Sequence, residues 1–175
     1  MKGDNMAETL PKENQILMII NCAKIWQEVE REEIYICPAS GGSYNFRPSR
    51  YFGLYRNRKV SHVANIEAVL DVQEDDTSAV RWLLYPFKLE QYQQKAVEYS
   101  NRLRSKNEFP LRVLLLSKPQ QTDFRKDSQG GLSGSVRYFD VSELSVESAG
   151  YLAHKLSGKN WSQVGTVGQL KSQLE

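Results

Sequence analysis

The segment from Val60 to Val72 constrains the fold most, because apolar and polar residues alternate along almost all of it. This period of two is typical of a β-strand, in which successive side chains point to opposite faces of the sheet. The even positions are the apolar set, with one histidine among them: Val60, His62, Ala64, Ile66, Ala68, Leu70 and Val72. Ser61, Asn65, Glu67 and Asp71 fall mostly on the other face. We therefore predict that one face of this strand is core.

The size of the chain favours a single domain. Its 175 residues are 40% apolar, which is enough to bury a core without metals or disulfides. The longest apolar run covers residues 16–20, with Cys22 and Ala23 following, and is far shorter than the roughly 20 residues that span a bilayer. No secretory pattern opens the chain. We therefore expect a cytoplasmic protein with no membrane partner. Cys22 and Cys37 lack metal-ligand spacing, so we predict buried free thiols and neither a metal nor another cofactor.

Local patterns predict most of the other elements. In chain order they are a strand over 15–22, a helix over 23–31, strands over 33–37, 50–56 and 79–88, an amphipathic helix over 89–107 and a strand over 111–117. Residues 15–22 would also suit a helix face, but their β-branched isoleucines favour a strand. Asn57 and Arg58 are predicted to form a hairpin turn. A second hairpin is predicted to pair residues 121–127 with 135–141 around a glycine-rich loop.

A last helix is expected to begin at Asp140, since Glu143 three residues later makes a capping-box pattern, and to be capped by Gly158.

The two ends of the chain are predicted to lie outside the fold. Residues 1–14 are polar and without periodicity, and we predict a flexible N-terminal arm. Residues 15–158 then form a single α+β domain, followed by a C-terminal tail over 159–175.

The distribution of charge points to a binding function. The net charge is only +2, but no acidic residue occurs from Ile34 to Ile66. This stretch interleaves cations with aromatic residues, and the candidate nucleic-acid-binding residues in it are Arg47, Arg50, Tyr51, Tyr55, Arg56, Arg58 and Lys59. Arginines can hold phosphates while neighbouring rings stack on unpaired bases. Arg125 and Lys126 are candidates to complete the groove. The alternative is that the tyrosines fill the core and the arginines are solvated.

No catalytic motif is evident. His62 and His154 are the only histidines, and neither has a nucleophile in a recognisable setting, so His62 is interpreted as a core residue. Residues 131–135 place a serine where the nucleophile elbow requires glycine. Glu67 and Asp71 flank a strand end, as nuclease carboxylates do, but the lysine expected to follow them is missing. We predict no catalytic residue, with a small nuclease as the alternative.

The residues Tyr51-Phe52-Gly53-Leu54-Tyr55-Arg56, followed by Val60 and by Ala-Asn-Ile-Glu-Ala-Val at 64–69, resemble the PUA-like superfamily, which includes EVE, YTH and ASCH domains. The resemblance covers about residues 15–156. It implies an α+β fold in which a small, curved, mixed β-barrel is flanked by helices. It also implies binding of RNA or DNA, often around a modified or flipped base held by aromatic residues, for which Trp26, Tyr35 and Trp82 are the candidates. The helix over 89–107 would be an insertion.

Three functions are therefore open. The first is a noncatalytic nucleic-acid-binding domain whose basic, aromatic-rich hairpin contacts DNA or RNA. The second is a protein-interaction or regulatory and inhibitory module, in which the same hairpin docks on an acidic protein. The third is a small metal-dependent nuclease that uses Glu67 and Asp71.

Overall fold

The described residues of this computed structural model, 8–40, 45–132 and 136–164, form a mixed α+β fold with a curled, half-barrel sheet and three α-helices. The strands are β1 (Glu8–Thr9), β2 (Ile16–Asn21), β3 (Ile34–Pro38), β4 (Tyr51–Arg56), β5 (Lys59–Val72), β6 (Ser78–Leu83), β7 (Leu111–Leu116), β8 (Gln120–Arg125), β9 (Val136–Asp140) and β10 (Lys159–Asn160). The helices are α1 (Trp26–Glu32), α2 (Leu89–Leu103) and α3 (Ala149–Leu156). None of these helices is long and apolar enough to cross a membrane.

Strand β5 joins the two halves of the sheet. Its first residues lie between β4 and β8, in a first half-sheet ordered β9-β2-β4-β5-β8-β10. Its last residues lie between β6 and β7, in a second half-sheet ordered β1-β6-β5-β7-β3. The pairing register of β5 shifts after Val60, Ile66 and Val69. Such bulges bend a strand and increase its twist, which lets one strand pass from the first half-sheet into the second.

Both faces of β5 are buried, so the prediction of a single core face is wrong. Three apolar clusters share the strand. An inner cluster contains side chains from both half-sheets, such as Phe52, Ile66 and Leu114. A first outer cluster, with Val60 and Val63 of β5, packs the first half-sheet against α3. A second outer cluster, with Leu70 and its neighbours, packs the second half-sheet against α2. The register shifts change which positions face each cluster, and strict alternation is lost.

Most predicted elements are confirmed with bounds shifted by a few residues. The strands predicted over 15–22, 33–37, 50–56, 79–88 and 111–117 correspond to β2, β3, β4, β6 and β7, and the predicted helices correspond to α1 and α2. Asn57 and Arg58 form the predicted turn, with φ of 52° and 62°. Left-handed φ at both positions is the hairpin geometry that matches strand twist. Cys22 and Cys37 are free and buried, as predicted.

Two predictions about the C-terminal third are wrong. Strands β8 and β9 do not form a hairpin with each other: β8 pairs with β5 and β10, while β9 pairs with β2. Burial of Phe139 beside its partner Leu17 in the first outer cluster places β9 on the opposite edge of the half-sheet. The last helix begins at Ala149, where the Ser148 Oγ accepts a hydrogen bond from the Tyr151 N–H at 3.1 Å.

Asp140, predicted to begin that helix, instead accepts a hydrogen bond from the Ser142 N–H at 2.9 Å at the start of a short 3₁₀ turn. Asp140 therefore lies at the start of a helical turn, as its sequence pattern suggests, but this turn is a 3₁₀ turn of three residues and not the start of the last α-helix. Gly158 follows α3 with a φ of 83°, so the predicted C-terminal boundary is confirmed. A left-handed residue after the last turn is the usual place for glycine.

The segments predicted as arm and tail contribute described residues to the fold. Strand β1 pairs with β6, and Leu10 is buried in the inner cluster. Strand β10 pairs with β8, and Trp161 packs in the first outer cluster against Tyr55, Phe124 and Phe139. The remainder of both predicted segments, residues 1–7 and 165–175, lies outside the described residues.

Side chains of the first outer cluster pack closely around Gly53 of β4. A Cβ atom at this position would lie 2.9 Å from Ile19 Cγ1 and 3.3 Å from Val60 Cγ1. We expect Gly53→Ala to lower the free energy of unfolding by about 1–3 kcal/mol because the core is overpacked. Urea unfolding measures this change.

Gly150→Ala is the matched control, since a Cβ in α3 would meet no atom closer than 3.9 Å. Alanine favours the helix, so this variant should be neutral or more stable by up to about 1 kcal/mol. Equal unfolding midpoints for the two variants would contradict close packing of Ile19 and Val60 around Gly53.

Candidate nucleic-acid interface

One end of the first half-sheet is basic. Strand β4 ends at Arg56, the hairpin turn contains Arg58, and β5 begins at Lys59, which pairs with both Arg56 and Arg125. We call this region the basic end, and its cations are Arg56, Arg58, Lys59, Arg125, Lys126 and Lys159. The hairpin and the second basic cluster predicted from sequence thus lie side by side. Long-range pairing of β5 with β8 brings them together.

Three of these cations share one face of the half-sheet. Residues opposite each other in a ladder point to the same side, so Arg56, Lys59 and Arg125 form a row across three strands. The residues next to them in the chain, Tyr55, Val60 and Phe124, point to the opposite side and pack in the first outer cluster. With strands about 4.8 Å apart, the row spans about 10 Å.

Lys59 and Arg125 are open to solvent. Their side chains are 39% and 66% exposed, and both lie near Asp123, with Lys59 Nζ at 3.9 Å and Arg125 Nε at 3.1 Å from Asp123 Oδ1. Hydrogen bonding from Arg125, with the positive charge of both residues, lowers the pKa of Asp123. One carboxylate is therefore the shared partner of two cations, and an excess of positive charge remains at the surface.

Arg58 and Lys126 hold the loop that follows β8. The guanidinium of Arg58 donates to the carbonyl oxygens of Ser128 at 2.7 Å and Gly130 at 2.8 Å. The buried ammonium of Lys126 donates to Ser128, Gln129 and Gly130. Because an ammonium has three donors, Lys126 has none left for a phosphate. It contributes charge to the basic end, and its pKa is lowered by burial and by its cationic neighbours.

Arg56 stacks on Trp26 at the edge of the basic end. The guanidinium carbon lies 3.7 Å from the centre of the Trp26 ring, within cation–π distance. Trp26 is the first residue of α1 and packs against the inner cluster. The Nε atom of Arg56 is buried and has no hydrogen-bond partner among the described residues. Within the described part of the chain, Arg56 is thus ordered by a ring and not by an acid.

His62 lies close behind this stack. It is buried, its Nδ1 is 2.9 Å from Ser61 Oγ, and its Nε2 is 3.6 Å from a carboxylate oxygen of Glu30. Burial lowers the pKa of His62, the charge of Arg56 lowers it further, and Glu30 opposes both. The lowered pKa favours the neutral imidazole, and because the side chain is buried the interpretation of His62 as a core residue is confirmed.

Arg47 and Arg50 lie away from the basic end. Arg50 precedes the first residue of β4 and Arg56 is the last, and six residues of strand extend over about 20 Å. The Arg47 N–H donates to the hydroxyl of Tyr138 at 3.0 Å, and the guanidinium of Arg50 lies 5.9 Å from the ring centre of Tyr51. The acid-free stretch therefore supplies two separate surfaces.

Four of the nominated aromatic residues are core residues. Tyr51 and Tyr55 are buried in the first outer cluster, which is the alternative that the sequence left open. Tyr35 and Trp82 are buried in the inner cluster, where the Tyr35 ring lies 5.7 Å from that of Phe52. Trp26 alone among the nominated rings is partly exposed. The positions of these four rings along their strands therefore reflect burial in the core, which large aromatic rings stabilise strongly.

The carboxylates of the nuclease alternative are not arranged around a metal. Asp71 accepts hydrogen bonds from Arg112 Nε at 2.8 Å and Nη2 at 3.1 Å, and Arg81 Nη1 lies 3.4 Å away. Within the described ranges, no three His, Cys, Asp or Glu side chains are grouped so that they could hold a metal ion. Asp71 is a structural ion-pair partner between β5, β6 and β7.

Sequence reasoning missed Lys159, which was assigned to the tail. Lys159 pairs with Phe124 and lies at the basic end because β10 runs parallel to β8. The neighbouring Asp127 accepts hydrogen bonds from the backbone and the hydroxyl of Ser162, which fixes this segment. Trp161, buried against Phe124, was the available signal that the chain returns to the core here.

Comparison of the chain with protein-family models, with curated proteins and with solved structures found no match. The resemblance to PUA-like domains therefore stays a prediction.

The buried His62 predicts how stability depends on pH. Its folded-state pKa lies below the usual value near 6.5, so the unfolded chain binds the proton more readily. Stability is then fully present above pH 6.5 and is lost as the pH falls from there toward the folded-state pKa, by at most about 1.4 kcal/mol per pH unit for one proton. Urea unfolding between pH 7 and pH 5.5 should show this loss.

His62→Gln should flatten the pH dependence in that range, and His154→Gln is the control because His154 is exposed in the last turn of α3. A profile that is unchanged in His62→Gln but flattened in His154→Gln would refute the assignment.

Proposed function

We propose that the basic end binds the sugar–phosphate backbone of a single-stranded nucleic acid, without catalysing a reaction. The observation that carries the proposal is the row of Arg56, Lys59 and Arg125, which the pairing of three strands places on one face of the half-sheet. Arg125 is well exposed, Lys59 is partly exposed, and Arg56 is ordered against a ring. Regularly placed cations are the main source of affinity for phosphate backbones.

Local charge supports this proposal better than the net charge of the chain does. The net charge is +2, whereas the basic end has six cations, and the acids that contact this region among the described residues include Asp123, Asp127 and Glu30. Asp127 accepts a hydrogen bond from the Ser162 N–H, and Asp123 is the shared ion-pair partner of Lys59 and Arg125. The field that attracts a polyanion depends on such local excess and not on the total charge.

A single strand fits this surface better than a duplex. The cations lie on strand ends and on a two-residue turn, and no described helix presents them to a major groove. A single strand can follow a short row of cations because its backbone is flexible. Recognition of unpaired strands commonly combines such a row with a stacking surface.

The proposal predicts that Lys59→Ala/Arg125→Ala weakens binding. Fluorescence anisotropy with labelled single-stranded DNA and RNA, at several salt concentrations, gives the affinity and its salt dependence. Each lost phosphate contact lowers the slope of log K against log salt by about 0.7, so the double variant should lose 1 to 2 units of slope. Both side chains are exposed, so the thermal unfolding temperature should be unchanged.

Lys88→Ala/Lys95→Ala is the matched control because it also removes two positive charges. Lys88 lies just before α2, over the ring of Tyr85, and Lys95 lies in α2, over the ring of Tyr99. This control should bind as the wild type does. Equal losses in both double variants would indicate attraction by net charge alone. If the wild type binds neither DNA nor RNA at low salt, the proposal fails and an acidic protein becomes the partner to seek.

A further inference from the structure

We propose that Arg56, stacked on Trp26, is a platform for one unpaired nucleobase, which stacks on the outward plane of the guanidinium. This inference rests on the proposed function of the basic end and adds recognition of a base to binding of the backbone. It distinguishes Arg56 from Lys59 and Arg125, which contact phosphates. The ligand class is thus a single strand that carries bases, and a polyphosphate chain alone would bind more weakly.

The position of the stack supports this role. Arg56 pairs with Lys59, and Lys59 pairs with Arg125, so the platform is the first member of the row. Neighbouring members are separated by one strand spacing, about 4.8 Å. A base stacked on Arg56 therefore brings its own phosphates to Lys59 and Arg125. The three side chains lie on the face of the half-sheet where Trp26 packs.

The partners of Arg56 differ from those of the other ordered arginines. Arg102, Arg104 and Arg112 each donate two hydrogen bonds to a single carboxylate, from Glu32, Glu28 and Asp71 respectively. In the parts of the chain that the structure describes, Arg56 has no carboxylate within ion-pair distance. Among these residues no ion pair neutralises its charge, and the indole ring of Trp26 holds its plane.

A guanidinium ordered in this way is suited to stacking. Arginine planes stack on bases as aromatic rings do, and single-stranded recognition uses both. The indole of Trp26 orders the guanidinium before a ligand arrives, which lowers the entropy that binding must overcome.

Trp26 also provides a direct readout. The chain has three tryptophans, and Trp82 and Trp161 are only 2% and 6% exposed in the core. A change in tryptophan fluorescence on binding therefore reports on Trp26. Trp26→Phe should remove that change while leaving a smaller ring against the inner cluster.

The experiment compares oligothymidylate with an abasic oligonucleotide of equal length. The two have the same phosphates, and only the first can stack. For the wild type we expect tighter binding of oligothymidylate, by roughly five- to 100-fold for one stacked base, together with a change in tryptophan fluorescence. The abasic oligonucleotide should bind without that change.

Arg56→Lys separates planarity from charge. Lysine keeps the positive charge but has no plane, so this variant should bind both oligonucleotides with about the affinity that the wild type has for the abasic one. Its salt dependence should be unchanged. If Arg56→Lys weakens binding of both oligonucleotides equally, Arg56 is a phosphate contact and the platform is refuted.

The other outcomes separate this inference from the proposed function. If the wild type binds both oligonucleotides equally and Lys59→Ala/Arg125→Ala weakens both, the platform is refuted and backbone binding stands. If the wild type binds neither at low salt, both proposals fail.

Discussion

The fold depends on one strand that two half-sheets share. The 14 residues of β5 pair with four other strands, and its register shifts bend it from the first half-sheet into the second. Because Asn57 and Arg58 are both left-handed, the turn that precedes β5 fixes its register against β4. The same pairing places Lys59 between Arg56 and Arg125. The geometry of the basic end is thus a consequence of how the core strand is anchored.

The cations of the chain divide into groups according to their partners. Arg102 and Arg104 bind Glu32 and Glu28 and so connect α1 with α2, while Arg112 connects β7 with β5 through Asp71. Arg58 and Lys126 bind backbone carbonyls of one loop. A further group is the row of Arg56, Lys59 and Arg125 at the basic end. Composition alone cannot show this division, because partner choice is decided by strands and helices that are distant in sequence.

Local signals predicted the local structure well. The positions of α2, the turn at Asn57 and the glycine after α3 follow from periodicity and backbone preference, which act within a few residues. The partners of β8 and β9 and the two-sided burial of β5 depend on contacts between distant segments. Tyr51 and Tyr55 show the same limit at the site: their pattern fits both a core and a stacking surface, and burial beside Trp161 decides for the core. The proximity of Arg125 to the hairpin was expected, whereas that of Lys159 was not.

Preorganisation explains why strand ends suit the proposed role. Side chains at the ends of paired strands have a fixed backbone, so binding orders only their outer bonds, and ordering costs about 0.5–1.5 kcal/mol for each flexible side chain. Arg56 is ordered further by Trp26, and Lys59 and Arg125 by their shared carboxylate. Asp123 reduces the local charge, but it also keeps two cations from separating. A ligand phosphate that replaces Asp123 as their partner therefore meets donors that already converge on one position.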